Sequence, residues 1–147
     1  MEKNLENLFS QIKNIDSEQK LADPQNEQVL KLAFIGDTIF DLFTRDYLLR
    51  KYKNKINEIH KKNTELVCAK SQARIVEKLI DINFLTEDEV SYYKHARNAH
   101  SKTKSKNSSI IEYRKATGLE ALLGLLFYND DVDRLREILD KITEVIE

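Results

Sequence analysis

The sequence has little of what punctuates a chain. Its 147 residues include three glycines and one proline. Sandwiches and barrels need turn residues at nearly every strand end, so this shortage excludes them and leaves helices. The single cysteine, Cys68, excludes an internal disulfide and suits a reducing compartment. No apolar run approaches the length of a membrane span. The N-terminal stretch MEKNLENLFSQIKNID lacks the apolar segment of a secretory leader. A cytoplasmic location and no membrane partner are therefore expected.

Apolar residues make up 41% of the chain and charged residues 33%. That composition belongs to a folded globular chain, and the length suits one domain, expected over 1–147. The formal net charge of -1 hides a local imbalance. Segment 45–62 is basic, with Arg45, Arg50, Lys51, Lys53, Lys55, Lys61 and Lys62 against Asp46 and Glu58. Segment 94–106 carries Lys94, Arg97, Lys102, Lys104 and Lys106 and no acid, and the tail from Asp130 is acidic. The distribution of charge thus says more about partners than its sum.

Periodicity predicts five to seven helices around one core, an all-α helical bundle. Asp23 and Pro24 read as the start of a long helix running through VLKLAFIGDTIFDLFTRDYLL, with Gly36 as a break or a point of close contact. Residues 57–63 read as a connector, and Asn63 or Thr64 as the cap of a helix through Ile80. Thr86 and Glu89 form a capping-box pattern opening a helix through about His95. The polar, basic stretch 99–109 reads as a loop. A helix is expected over 111–128, and a last one after Asp130 or Asp131, with Val132, Leu135, Ile138, Leu139, Ile142 and Ile146 on one face.

Two acids fit this bundle poorly. Asp37 interrupts LAFIGDTIFDLF and Glu120 interrupts TGLEALLGLLF, the two most apolar helices. A buried carboxylate must be neutralised, paired or bound to metal. Ala116, Gly118, Ala121 and Gly124 are small enough to admit a neighbouring helix closely. Asp37 with Glu120 forms a minimal site for Mg²⁺, which needs only one or two protein carboxylates and keeps several waters. Asp41, four residues after Asp37 and on the same helix face, is a candidate outer-shell contact. The competing reading pairs Glu120 with a distant lysine and turns Asp37 to solvent at a kink beside Gly36. His95 and His100 complete no metal cluster, and Cys68 reads as a core residue.

FIGD (34–37) before an apolar helix resembles the signature helix of ribonuclease III catalytic domains, usually E-x-L-E-F-L-G-D. LEALLG (119–124) resembles their second acidic helix, D-x-x-E-A-L-I-G. LAFIGDTIFDLFTRDYLL (32–49), AKSQA (69–73), FLTEDE (84–89) and ARNAHSKTKSKN (96–107) leading into YRKATGLEAL (113–122) resemble the Mini-ribonuclease III branch. The resemblance implies a ribonuclease III-like all-α domain. It further implies Mg²⁺-dependent cleavage of double-stranded RNA by a homodimer, leaving 5′ phosphates, in maturation of the large-subunit (23S) ribosomal RNA precursor. A ribosomal protein helper is a further expected partner. Leu30, Ala33 and Thr117 stand where the fuller pattern has acids, so only Asp37 and Glu120 carry over as catalytic and metal-binding residues. The resemblance leaves no room after Glu147 for the usual double-stranded-RNA-binding domain.

Arg97, Asn98, Lys102, Lys104 and Lys106 are the candidate RNA-binding residues, because A-form RNA is read mostly by backbone and shape. A solvated loop is the alternative. Segment 45–62 is either RNA-facing or ordinary basic surface. Phe34 and Ile35 are the expected dimer seam, though a core Phe would look the same. Gln72, in AKSQA, is either an outer-shell, cross-dimer or RNA contact or a plain surface residue. The rival function is a non-catalytic RNA-binding or ribosome-assembly module that kept the fold; the acids missing at Ala33 and Thr117 favour it.

Overall fold

A computed structural model describes residues 25–99 and 109–147. They form six helices: α1 (Gln25–Lys51), α2 (Ile56–Val67), α3 (Ala69–Asp81), α4 (Glu87–Arg97), α5 (Ile110–Tyr128) and α6 (Val132–Ile146). No strand occurs among the described residues, and no helix among them is long and apolar enough to cross a membrane. The expected cap at Asp23 and Pro24 lies outside the described residues. So does the interior of the 99–109 loop, with His100, Lys102, Lys104 and Lys106.

Helix α5 is the centre of the bundle. Ala116, Leu119, Leu122, Leu123 and Leu126 are all buried, and the helix is apolar nearly all round, as a core helix must be. Helices α1, α3, α4 and α6 pack on it. Phe40 of α1, Ile75, Val76 and Leu79 of α3, Tyr93 of α4, and Leu135, Ile138 and Ile142 of α6 close the core around it.

The helix ends explain how so few glycines suffice. Among the described residues, two positions with φ near +58° are held by Asn83 and Asp130, beyond the ends of α3 and α5. Asn and Asp tolerate that region better than other side chains. Thr86 with Glu89 and Ser109 with Glu112 form complete capping boxes. Of the two expected caps for α6, Asp131 is the one used: its side chain accepts from the Arg134 N–H. Arg134 in turn clamps Glu89 through two 2.8 Å hydrogen bonds and donates to the Phe84 carbonyl, tying α6 to the start of α4.

Two expectations are corrected, and a third position is settled between its two readings. Residues 57–63 are not a connector but part of α2, where Ile59 and Asn63 are buried. The helix expected from 63 or 64 to 80 is broken at Cys68, whose φ of -68° and ψ of 156° are extended; α3 begins at Ala69. Polar composition concealed α2, because its apolar contacts are few. Gly36 does not break α1, which runs unbroken through it.

Gly36 marks a close contact instead. A Cβ on Gly36 would overlap the Glu120 carbonyl, and one on Gly124 would overlap the Leu32 carbonyl. Leu32 and Gly36 therefore lie opposite Gly124 and Glu120, so α1 and α5 cross antiparallel with their backbones touching. This crossing brings the first acidic helix to the second.

Candidate active site

The residue after Gly36 is Asp37, and the residue opposite Gly36 is Glu120. Backbone contact between α1 and α5 therefore leaves the two carboxylates no freedom to be far apart. They line one cavity of about 620 Å³. Helix α1 contributes Leu30, Ala33, Phe34 and Asp37. The α2–α3 junction contributes Val67, Cys68, Ala69 and Gln72, and α5 contributes Tyr113, Ala116, Thr117 and Glu120. Leu30, Ala33 and Thr117, the positions without the expected acids, all sit in this wall, so the cavity is less acidic than the fuller motif would make it.

Glu120 is half-buried, and its carboxyl is pushed up to about 9, first by burial and then by hydrogen-bonding contact with Asp37 and its charge. The amide of Gln72 acts in the opposite sense. Glu120 is thus protonated at neutral pH, and its neighbours are a second carboxyl and an amide rather than the distant lysine of the competing reading. Asp37 is exposed, as that reading had it, but on an unkinked α1 and at the wall of the cavity.

Stability depends on pH as a result. The folded-state value of Glu120 lies above its ordinary value near 4.5. Its contribution is fully present below that ordinary value and is lost as pH rises toward about 9. Glu120→Gln removes this loss. In metal-free buffer its melting temperature is expected to match the parent's near pH 4.5 and to exceed it by several degrees at pH 9. The difference grows by at most about 1.4 kcal/mol per pH unit over that range, and by less because solvent reaches the half-buried group. Scanning calorimetry across the same range checks it; equal pH profiles would contradict the burial of this carboxyl.

The other candidate residues separate. Asp41 does not line the cavity: its carboxylate accepts from Asn63 Nδ2 at 2.8 Å and pairs with Arg45 at 3.0 Å. Asn63 is itself tied to the buried Thr44 hydroxyl, at 2.6 Å. Asp41 thus bridges α1 to α2. Phe34 stands 83% exposed at the cavity edge, whereas Ile35 turns inward against Gly124 and the main core. The two do not share a face. Arg97 and Asn98 close α4, where Arg97 Nε donates to Asn98 Oδ1 at 3.3 Å and the guanidinium lies 5.7 Å from the Tyr93 ring centre. Cys68, expected in the core, is exposed at the cavity wall, because the break after α2 turns it outward.

Gln72 is the residue that the sequence left least defined. It is not a surface glutamine: it is 2% exposed, on the same face of α3 as Ile75, Val76 and Leu79. A polar residue at helical spacing with core residues is the signal that singled out Asp37 and Glu120, and it was present here too.

A model of the ribonuclease III domain matches residues 30–131, a span that contains every residue of this cavity. The chain belongs to the ribonuclease III family. Within that family its curated relatives are Mini-ribonucleases 3. The protein of Staphylococcus aureus is 37% identical over 131 residues, covering 89% of this chain and 94% of that one. The protein of Enterococcus faecalis is 40% identical over 111 residues, covering 76% and 84%. The crystal structure of protein FN1578 from Fusobacterium nucleatum superposes with a TM-score of 0.70 at 31% identity, covering 81% of this chain and 93% of that one. Membership in the Mini-ribonuclease 3 branch makes the chain a ribonuclease III-type endoribonuclease. The acids absent at Ala33 and Thr117 therefore do not mark it as a non-catalytic module.

Proposed function

We infer that this endoribonuclease cleaves double-stranded RNA with Mg²⁺ at the Asp37–Glu120 pair and leaves 5′ phosphates. The observation that carries the reading is the juxtaposition of these two carboxylates in one cavity by the α1–α5 backbone contact.

The residues present fit a hard divalent cation. Two carboxyls that crowd each other in a partly buried cavity are relieved by a shared cation, which replaces the proton that Glu120 holds without it. Among the described residues no group of three or more His, Cys, Asp or Glu could hold an ion, so a softer, ligand-rich metal site has no support here. Mg²⁺ suits the sparser pair because it keeps several waters. When bound, it would supply an activated water and stabilise charge on the phosphoryl oxygens. Asp37 and Glu120 would hold the ion from neighbouring helices, whose α1–α5 backbone contact sets their spacing. Arg97 and Asn98, with Lys102, Lys104 and Lys106 following in sequence, supply contacts to RNA phosphates. Few contacts of this kind bind with little sequence dependence and weaken as salt rises.

The assay is incubation of the purified protein with long duplex RNA at low salt, with and without Mg²⁺. Fragments carrying 5′ phosphates are expected only with the metal. Intact duplex under both conditions would overturn the reading. The natural substrate is taken as the large-subunit (23S) ribosomal RNA precursor, in line with the resemblance to the Mini branch; unprocessed precursor in cells depleted of the protein checks it.

A homodimer belongs to this function, since cutting both strands of a duplex needs two sites. Phe34, exposed at the cavity edge, and Ile111, exposed on the first turn of α5, are apolar groups that a two-fold partner would cover. Sedimentation at micromolar concentration is expected to give twice the chain mass for the parent and the chain mass for Phe34→Asp. A monomeric parent would contradict this part.

A further inference from the structure

A metal site reduced to two carboxyls needs something else to fix their orientation. The α2–α3 junction offers one group suited to that. Helix α2 ends at Val67, whose carbonyl is among those that a helix terminus leaves without an intrahelical partner. Gln72 Nε2 donates to that carbonyl at 3.0 Å. A carbonyl can only accept, so this bond fixes which end of the amide is nitrogen.

Anchored in this way, Gln72 lines the cavity that Asp37 and Glu120 share, from a third element beside the two acidic helices. An amide nitrogen has two hydrogens; the Val67 carbonyl takes one, which leaves the other for the Glu120 carboxyl. Gln72 Oε1 is buried and has no hydrogen-bond partner. A buried amide oxygen left unpaired is costly, and one beside a catalytic pair is a candidate acceptor for water brought by a cation.

We propose that Gln72 is a positioning residue for the metal site, its amide locked on the end of α2 while it orients Glu120 and offers Oε1 to water around the ion. The proposal rests on the function given above and deepens it. Gln72 touches neither RNA nor the scissile bond; it acts through Glu120 and bound water. Partners of this kind commonly change metal affinity or turnover by about 10–100-fold.

The test compares the parent with Gln72→Met, which keeps length and bulk but removes donor and acceptor together. Mn²⁺ alone, followed by electron paramagnetic resonance without RNA, reads the affinity of the site. Steady-state cleavage of duplex RNA across a Mg²⁺ series reads kcat and KM. Affinity for Mn²⁺ is expected to fall about tenfold or more and kcat to fall at limiting Mg²⁺, with KM for RNA unchanged and partial recovery at high Mg²⁺. A purely structural role would not yield such metal rescue. Parental Mn²⁺ affinity and parental kcat in folded Gln72→Met would overturn the proposal. If that variant does not fold, Gln72→Asn, which withdraws the amide by one methylene, replaces it; parental Mn²⁺ affinity there is equally fatal. A parent that cuts no RNA would overturn the proposed function, and the RNA-free Mn²⁺ comparison would still decide the role of Gln72.

Discussion

Asp37→Asn and Glu120→Gln are each expected to lower cleavage of duplex RNA by about a thousandfold or more while leaving RNA affinity close to the parent's. Each substitution preserves shape and removes a charge that, in the proposed mechanism, would hold the ion. With only two protein carboxyls, no third acid can compensate: Leu30, Ala33 and Thr117 bring none to the cavity wall, and Asp41 is committed to Asn63 and Arg45. The size of the loss follows from the metal's double duty toward the attacking water and the phosphoryl charge, where even a single donor can be worth about 10²–10³ in rate. The two variants differ in stability. Glu120→Gln gains at alkaline pH because it no longer exposes a buried carboxyl to ionisation. Single-turnover cleavage together with filter-binding affinity separates the steps. Parental turnover in either variant would remove the carboxyl pair from the mechanism.

Gly36→Ala is expected to cost about 3 kcal/mol or more and to lower the melting temperature by roughly ten degrees. The added methyl would meet the backbone of Glu120 rather than a flexible side chain, so neither neighbour can turn away. One helix must move, and the move separates Asp37 from Glu120. Cleavage should therefore fall even at temperatures where the variant remains folded. Thr38→Ala, at an exposed position of the same helix, is the control and is expected to stay within about 0.5 kcal/mol of the parent. Denaturant unfolding with cleavage at low temperature reads both effects. A Gly36→Ala protein as stable and active as the parent would show that the backbones do not touch.

Both acids are visible in the sequence because each breaks an otherwise apolar helix; the cost of burying a carboxyl falls on the half-buried Glu120, while Asp37 is exposed at the cavity. The capping box at Thr86 is a local pattern, and α4 begins where that pattern places it; Ser109 and Glu112 form a second box that opens α5 one residue before the expected 111. The first turns of α2 are not legible in the same way. Most of its residues face solvent, so no apolar stripe announces it. Cys68 reads as a core residue because cysteine usually lies there; a single extended residue between two helices turns it outward.

The sequence by itself determined the all-α class and the family motifs, and it singled out the two acids as candidates. These rest on composition, on periodicity and on residues adjacent in the chain, and each is a local property. Tertiary structure alone decided which polar residues share the cavity. Asp41 follows Asp37 by one helical turn yet is drawn to Asn63 of α2, whereas Gln72, from a third helix, lines the cavity with Glu120. Ile35 and Phe34 are neighbours in sequence, yet Phe34 is exposed while Ile35 packs on the core. The cause is the α1–α5 crossing, where Gly36 and Gly124 let two backbones meet. Small residues permit such contact at many registers, and only packing of the whole core selects one.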